Sequence, residues 1–151
     1  MPDPATLFGV DLESIRDRLR LLQFFNSVDD VQAGAEAIQG RVPFTPPAAF
    51  VNVGDETYAR NRYAAGGHGQ RGEVEVSVLL CFPSNRADGE VGDEVEQGRK
   101  VVIAQLVAWQ PAGAIKPLEV KRSRIRLIEA GLIWVEVTFR TAFDLNVASA
   151  A

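Results

Sequence analysis

The chain has one cysteine, Cys81, and one histidine, His68. A lone cysteine cannot close an internal disulfide. No histidine or second cysteine stands beside Cys81 to activate its thiol, and its place in an apolar strand pattern marks it as a small core residue. With so little His and Cys, and without an H-E-x-x-H stretch, the usual zinc ligands are missing. No apolar run is long enough to cross a membrane. Met1 to Gly9 lack the basic start and apolar middle of a signal peptide, so a cytoplasmic product is expected. An excess of positive charge is missing too: a formal net charge of −4 argues against general nucleic-acid binding and leaves only local basic patches. No catalytic, cofactor-binding or metal-binding residue is expected.

What is present is an ordinary composition, 46% hydrophobic and 24% charged, in 151 residues. That length fits a single domain over 1–151 with its own core, and with 1–10 and 146–151 as flexible ends. Asp11 can cap a helix whose Leu12, Ile15, Leu19 and Leu22 form one apolar stripe, finished by Phe24 and Phe25. Asp29 to Gly40 could hold a short second helical segment. Pro43, Pro46 and Pro47 hold the chain extended into a strand around Phe50, bounded by Gly54. From Glu73 the alternation of Val74, Val76, Val78, Leu80 and Phe82 reads as a strand with one buried face. Pro83 to Gly92 is a polar connector.

Val95, Val102, Leu106 and Trp109 fall on one side of a second main helix, with Ile103 widening the stripe. Asp93 is the expected cap, with Glu96 reaching back to it, and Pro111 stops the helix soon after Trp109. Gly98 in the early turns is either a surface glycine or the sign of a close approach to another backbone. Leu118 to Ile128 changes phase across Lys121-Arg122-Ser123, as one bulged residue would make it do. Gly131 can take the positive φ of a hairpin turn. Beyond it Ile133, Val135, Val137, Phe139 and Phe143 make one apolar face. Trp109 and Trp134 are expected to fix the helix on the sheet. The sum is an α+β fold: a four-stranded, mostly antiparallel sheet with two main helices packed on it and a long arm between the first and second strands.

That arm, Asp55 to Gly72, interleaves Tyr58, Arg60, Arg62, Tyr63, His68 and Arg71 with glycines. A loop of this length in a small domain is more often functional or disordered than filler, which makes it the candidate contact arm. Gly66-Gly67-His68-Gly69 has neither P-loop nor full G-x-G-x-x-G spacing and reads as a loop tip. His68 has no positioned partner for general-base work. Asp88, Glu90, Asp93, Glu94 and Glu96 do not match a calcium loop and read as a solvated, helix-starting acidic run. Lys121, Arg122, Arg124 and Arg126 read either as charges protecting an edge strand or as a face for an acidic partner or phosphates.

In order, the opening helix, the first strand at Pro47 to Val53, the glycine-rich arm and the alternating strand from Val74 resemble the tailed-bacteriophage tail terminators. The likeness continues in Leu106-Val107-Ala108-Trp109-Gln110-Pro111 and in a closing strand with Trp134 and Phe139-Arg140-Thr141. It runs from about Leu12 to Leu145. The group includes minor tail protein U and often has Leu-Leu-Gly-Trp where this chain has Leu106-Val107-Ala108-Trp109. The resemblance implies a structural, non-enzymatic virion protein assembled in the host cytoplasm into a homo-oligomeric, hexameric ring. Such a ring caps the tail tube, ends its polymerisation and offers the head-joining surface. The implied partners are further copies of the chain, the tail tube protein and a head-completion or connector protein, with DNA as passing cargo and no membrane or cofactor. The arm residues and Arg122, Arg124 and Arg126 are the expected protein interfaces. Three other readings stay open: another head–tail connector or tube-associated protein, a small α+β enzyme using His68 and nearby carboxylates, and a nucleic-acid module using Arg122, Arg124 and Arg126.

Overall fold

In a computed structural model the chain is described over residues 9–30, 44–84, 92–129 and 131–148. Helix α1 (Leu12–Arg20) starts where Asp11 Oδ1 accepts the Glu13 N–H at 3.0 Å, the expected cap. Its Ile15 and Leu19 are fully buried. Strands β1 (Ser27–Asp29), β2 (Ala48–Tyr58) and β3 (Gly67–Pro83) follow, then helix α2 (Asp93–Leu106) and the hairpin of β4 (Glu119–Glu129) and β5 (Leu132–Ala148). The five strands are ordered β1-β2-β3-β5-β4. All neighbours are antiparallel except β1 and β2, which run parallel.

Alternation decides the two faces of the sheet. Val76, Val78, Leu80 and Phe82 of β3 and Ile133, Val135, Val137 and Phe139 of β5 pack under Ile15 and Leu19 of α1 and Val95, Val102 and Leu106 of α2. Each such side chain taken out of water contributes about 1.5–3 kcal/mol, so this shared layer is the main stabilising term. The helices are locked to each other as well: Arg18 Nε donates to the Gln105 carbonyl at 3.1 Å, and Gln105 Nε2 donates to the Arg18 carbonyl at 2.8 Å. The Arg18 guanidinium also lies 5.1 Å from the centroid of the Trp109 ring. Gly98 of α2 faces the Phe82 ring so closely that a Cβ there would collide with it. The close approach is to a side-chain ring of the sheet and not to another backbone.

Among the described residues, five strands replace the expected four. The addition, β1, is three residues with one buried side chain, Val28, too short to show a period. The expected loop from Asp55 to Gly72 is mostly strand, because β2 continues to Tyr58 and β3 starts at Gly67, leaving 59–66 as the tip. The arm is therefore a hairpin backed by β5, whose last residues pair with Gly67, His68 and Gly69.

Helix α2 ends at Leu106, ahead of Trp109. Leu118 draws the chain away there: the Ala108 N–H donates to the Leu118 carbonyl at 3.0 Å, Leu118 N–H donates to the Trp109 carbonyl at 2.9 Å, and Ala108 turns with φ +64°. The N-cap is Gly92, and Asp93 is the first helical residue. Glu96 does not reach back; it pairs with Arg99 at 2.8 Å. Trp134 lies on the sheet face away from the helices, stacked on Phe50 with centroids 6.0 Å apart, beside Ala48 and Cys81. Among the described residues it does not hold a helix.

The bulge expected near Lys121 is present, and a second shift falls between Ile125 and Leu127. Gly131 turns the hairpin with φ +78°. Residues 31–40 of the expected second helical segment, and 85–91 of the connector with Asp88 and Glu90, lie outside the described residues.

Candidate interaction surfaces

The tip of the β2–β3 hairpin is built from side chain to backbone bonds. Asn61 Oδ1 accepts the N–H groups of Tyr63 at 3.2 Å and Gly69 at 2.8 Å, while its Nδ2 donates to the Tyr63 carbonyl at 3.1 Å. This Asx arrangement closes the turn locally. The Ala59 N–H donates to the Arg71 carbonyl at 2.8 Å, and Gln70 Nε2 donates to the Ala59 carbonyl at 2.7 Å. Arg62 reaches across to β5, donating to Asn146 Oδ1 at 3.0 Å and lying 3.4 Å from Asp144 Oδ1. The Tyr63 ring covers Gly69, where a Cβ would lie 2.7 Å from Tyr63 Cε2. Two exposed tyrosines are thus held on a fixed frame, Tyr58 at 44% and Tyr63 at 50% exposure.

The other arm residues play different parts. Arg60 and Arg71 are exposed, and neither makes an ion pair among the described residues. His68 is exposed and its ring meets the Gln70 amide, a neutral partner. Tyr58 donates its hydroxyl to Glu56 Oε2 at 2.9 Å, and that carboxylate hydrogen bond holds the phenol above its ordinary pKa. Nothing here assembles a nucleophile, base and oriented substrate site.

The β4 arginines form a separate group. Alternation puts Arg122 and Arg124 on the sheet face away from α1 and α2, level with Thr138 and Glu136 of β5. Arg122 lies 4.0 Å from Glu75 and Arg124 3.2 Å from Glu136, while Lys121 pairs closely with Glu75. That lysine hydrogen bond is the main cause holding the Glu75 carboxyl below its usual range. Arg126, at the second bulge, makes no ion pair among the described residues and borders an open depression of about 310 Å³ with Leu79, Leu127 and Trp134. The arm residues and the β4 arginines do not meet, since β4 pairs with β5 only as far as Arg140 and the arm continues beyond it.

Two features have little bearing on chemistry. A broad apolar groove of about 550 Å³ runs beside the bridge between Val107 and Leu118 and contains no histidine or cysteine. Cys81 is buried and burial pushes its thiol up to about 12, which keeps it protonated and unreactive. Among the described residues no group of three or more His, Cys, Asp or Glu side chains could hold a metal ion.

Sequence reasoning picked out the aromatic and basic side chains but missed the residues that position them. Asn61, Gln70, Asp144 and Asn146 are unremarkable in the sequence, except that Asn61 within an arginine- and tyrosine-rich turn carries an Asx signal. Glu75 and Glu136, which pair with Lys121, Arg122 and Arg124, were visible only as the polar half of an alternation.

The fold is similar to that of a chain in the solved structure of the virion of a native gene transfer agent (GTA) particle, with a TM-score of 0.57 at 14% identity, covering 95% of this chain and 98% of that one. No curated protein sequence matches the chain. The family model for phage tail terminator protein matches residues 8–149, nearly the whole sequence. The chain belongs to the phage tail terminator family and is a structural protein of the virion tail.

Proposed function

We propose that the chain, a single domain, forms a closed ring of identical copies that caps the tail tube, ends its polymerisation and presents the surface to which the head joins. The family match over residues 8–149 carries this reading. A hexamer is the stoichiometry expected of it, with the tail tube protein on one side and a head-completion or connector protein on the other. Head-to-tail contacts that close by rotation make such a ring. DNA passes through it as cargo, which suits a net charge of −4.

The tip of the hairpin is the contact to the tube or to a neighbouring copy. Exposed tyrosine and arginine on a rigid frame give large contact area with little ordering cost, the make-up of an interface hot spot. The role is structural and not enzymatic. His68 faces a neutral amide, and Lys121, Arg122 and Arg124 are already opposed by Glu75 and Glu136, which weakens both the catalytic and the nucleic-acid readings. Replacing Tyr63 and Arg60 by alanine tests the tip. Tails that lack heads or run to abnormal length are expected; normal headed tails would remove the tip from the mechanism.

A further inference from the structure

Among the described residues, the two lateral edges of the sheet carry opposite charge at the same height. The register can be followed straight across: Arg124 of β4 pairs with Glu136, Glu136 with Leu79, Leu79 with Phe50, and Phe50 with Asp29 of β1. Residues in one such row share a face, so Arg124 and Asp29 both belong to the face away from the helices. The cations Lys121, Arg122, Arg124 and Arg126 gather on β4; Glu75 partners the first two and Glu136 partners Arg124 in the same copy. The opposite edge offers Asp29 and, where β2 extends past β1, Asp55 and Glu56.

The β4 edge is also apolar where it is bare. Ile125 is 47%, Leu127 39% and Ile128 46% exposed, and no strand pairs with the outer side of β4 among the described residues. Strand directions fit as well. β1 and β2 run opposite to β4, so a second copy brought alongside without inversion continues the antiparallel alternation. The Val28 carbonyl already accepts Arg20 Nη2 at 2.8 Å, so side chains share the contact with the remaining edge groups.

Building on the ring proposed above, we propose that neighbouring copies meet edge to edge, the basic, apolar β4 of one against the acidic β1–β2 edge of the next, with Arg124 level with Asp29. The contact is heterologous, so it can close into a ring. Opposite charges placed across it fix register and exclude the inverted β4-to-β4 pairing, where like charges would meet.

Separate Asp29→Cys and Arg124→Cys chains, mixed, oxidised and run on a non-reducing gel, test this directly, with wild type as control because Cys81 is buried. A band at dimer mass in the mixture and in neither variant alone is expected. A dimer from Arg124→Cys alone would mean β4-to-β4 pairing and overturn the proposal. No band from any combination, while wild type forms rings, would overturn the edge contact and leave the ring reading standing. Wild type that stays monomeric even with tail tubes present would overturn the ring and this contact with it. A second test exchanges the charges: Asp29→Arg should disperse the ring into folded monomers, and adding Arg124→Asp to the same chain should restore it. Failure of the exchange to restore the ring counts against the pair.

Discussion

The ring of Phe143 lies across Gly72 of the neighbouring strand, and a Cβ on Gly72 would sit 2.5 Å from Phe143 Cζ. Tyr58, paired with Gly72 from the other side, meets the Phe143 ring edge-on with centroids 5.9 Å apart. One aromatic pair thus clamps β2, β3 and β5 where the arm leaves the helix-covered core.

Gly72→Ala should therefore cost about 1–3 kcal/mol, as overpacking does, and Phe143→Ala about 3–5 kcal/mol, as for a buried aromatic. Because the groups touch, Gly72→Ala combined with Phe143→Ala should lose less than the two single losses added together. Chemical denaturation of the four proteins checks this. Simple additivity would mean that the ring does not bear on the glycine.

Gly98 makes a prediction of opposite sign to helix propensity. On an exposed helix, Gly→Ala gains up to about 1 kcal/mol. Here the methyl group would meet the Phe82 ring, which Phe24 and Phe25 flank at 6.5 Å each. Gly98→Ala should lower stability by about 1–3 kcal/mol, and a raised melting temperature would contradict the packing.

These two glycines mark what could and could not be read from the sequence. The alternation in β3 and β5 was legible because helices cover one face and impose a period of two. The stripe of α1 was legible for the same reason at a period of 3.6. The arm was not, because its glycines have a loop-like composition, while Gly69 and Gly72 in fact make room for Tyr63 and Phe143 within a paired strand. Phe143 is too distant in sequence to signal that role. The end of α2 was misplaced because a tertiary strand contact at Leu118 stops the helix before Pro111 can. At the candidate surface, residue types were legible but their partners on β5 were not.

The ion pair of Lys121 with Glu75 predicts a pH dependence. Glu75 titrates below its ordinary value of 4.5 in the folded chain, so the unfolded chain binds the proton more readily. The pair's stabilisation is therefore full above that value and lost as pH falls through the lowered one. Lys121→Met should cost less than about 1 kcal/mol at neutral pH, since the pair is solvent-accessible. The difference from wild type should vanish in acid. Denaturation curves at neutral and acid pH check this, and a constant difference would assign the loss to packing.

The tip should respond locally. Asn61→Ala removes the bonds to Tyr63 and Gly69 and should speed hydrogen exchange at those two amides while the core strands stay protected. Tyr63→Ala should leave global stability within about 0.5 kcal/mol, as exposed substitutions usually do. A large stability loss would place the tyrosine in the core instead of the contact surface.

The most direct test of the central claim is electron microscopy of particles assembled without this chain, with tube length and head attachment scored. The ring-cap account predicts tubes of uncontrolled length that carry no heads, corrected when the wild-type chain is supplied. Tails of normal length with heads attached in its absence would contradict it.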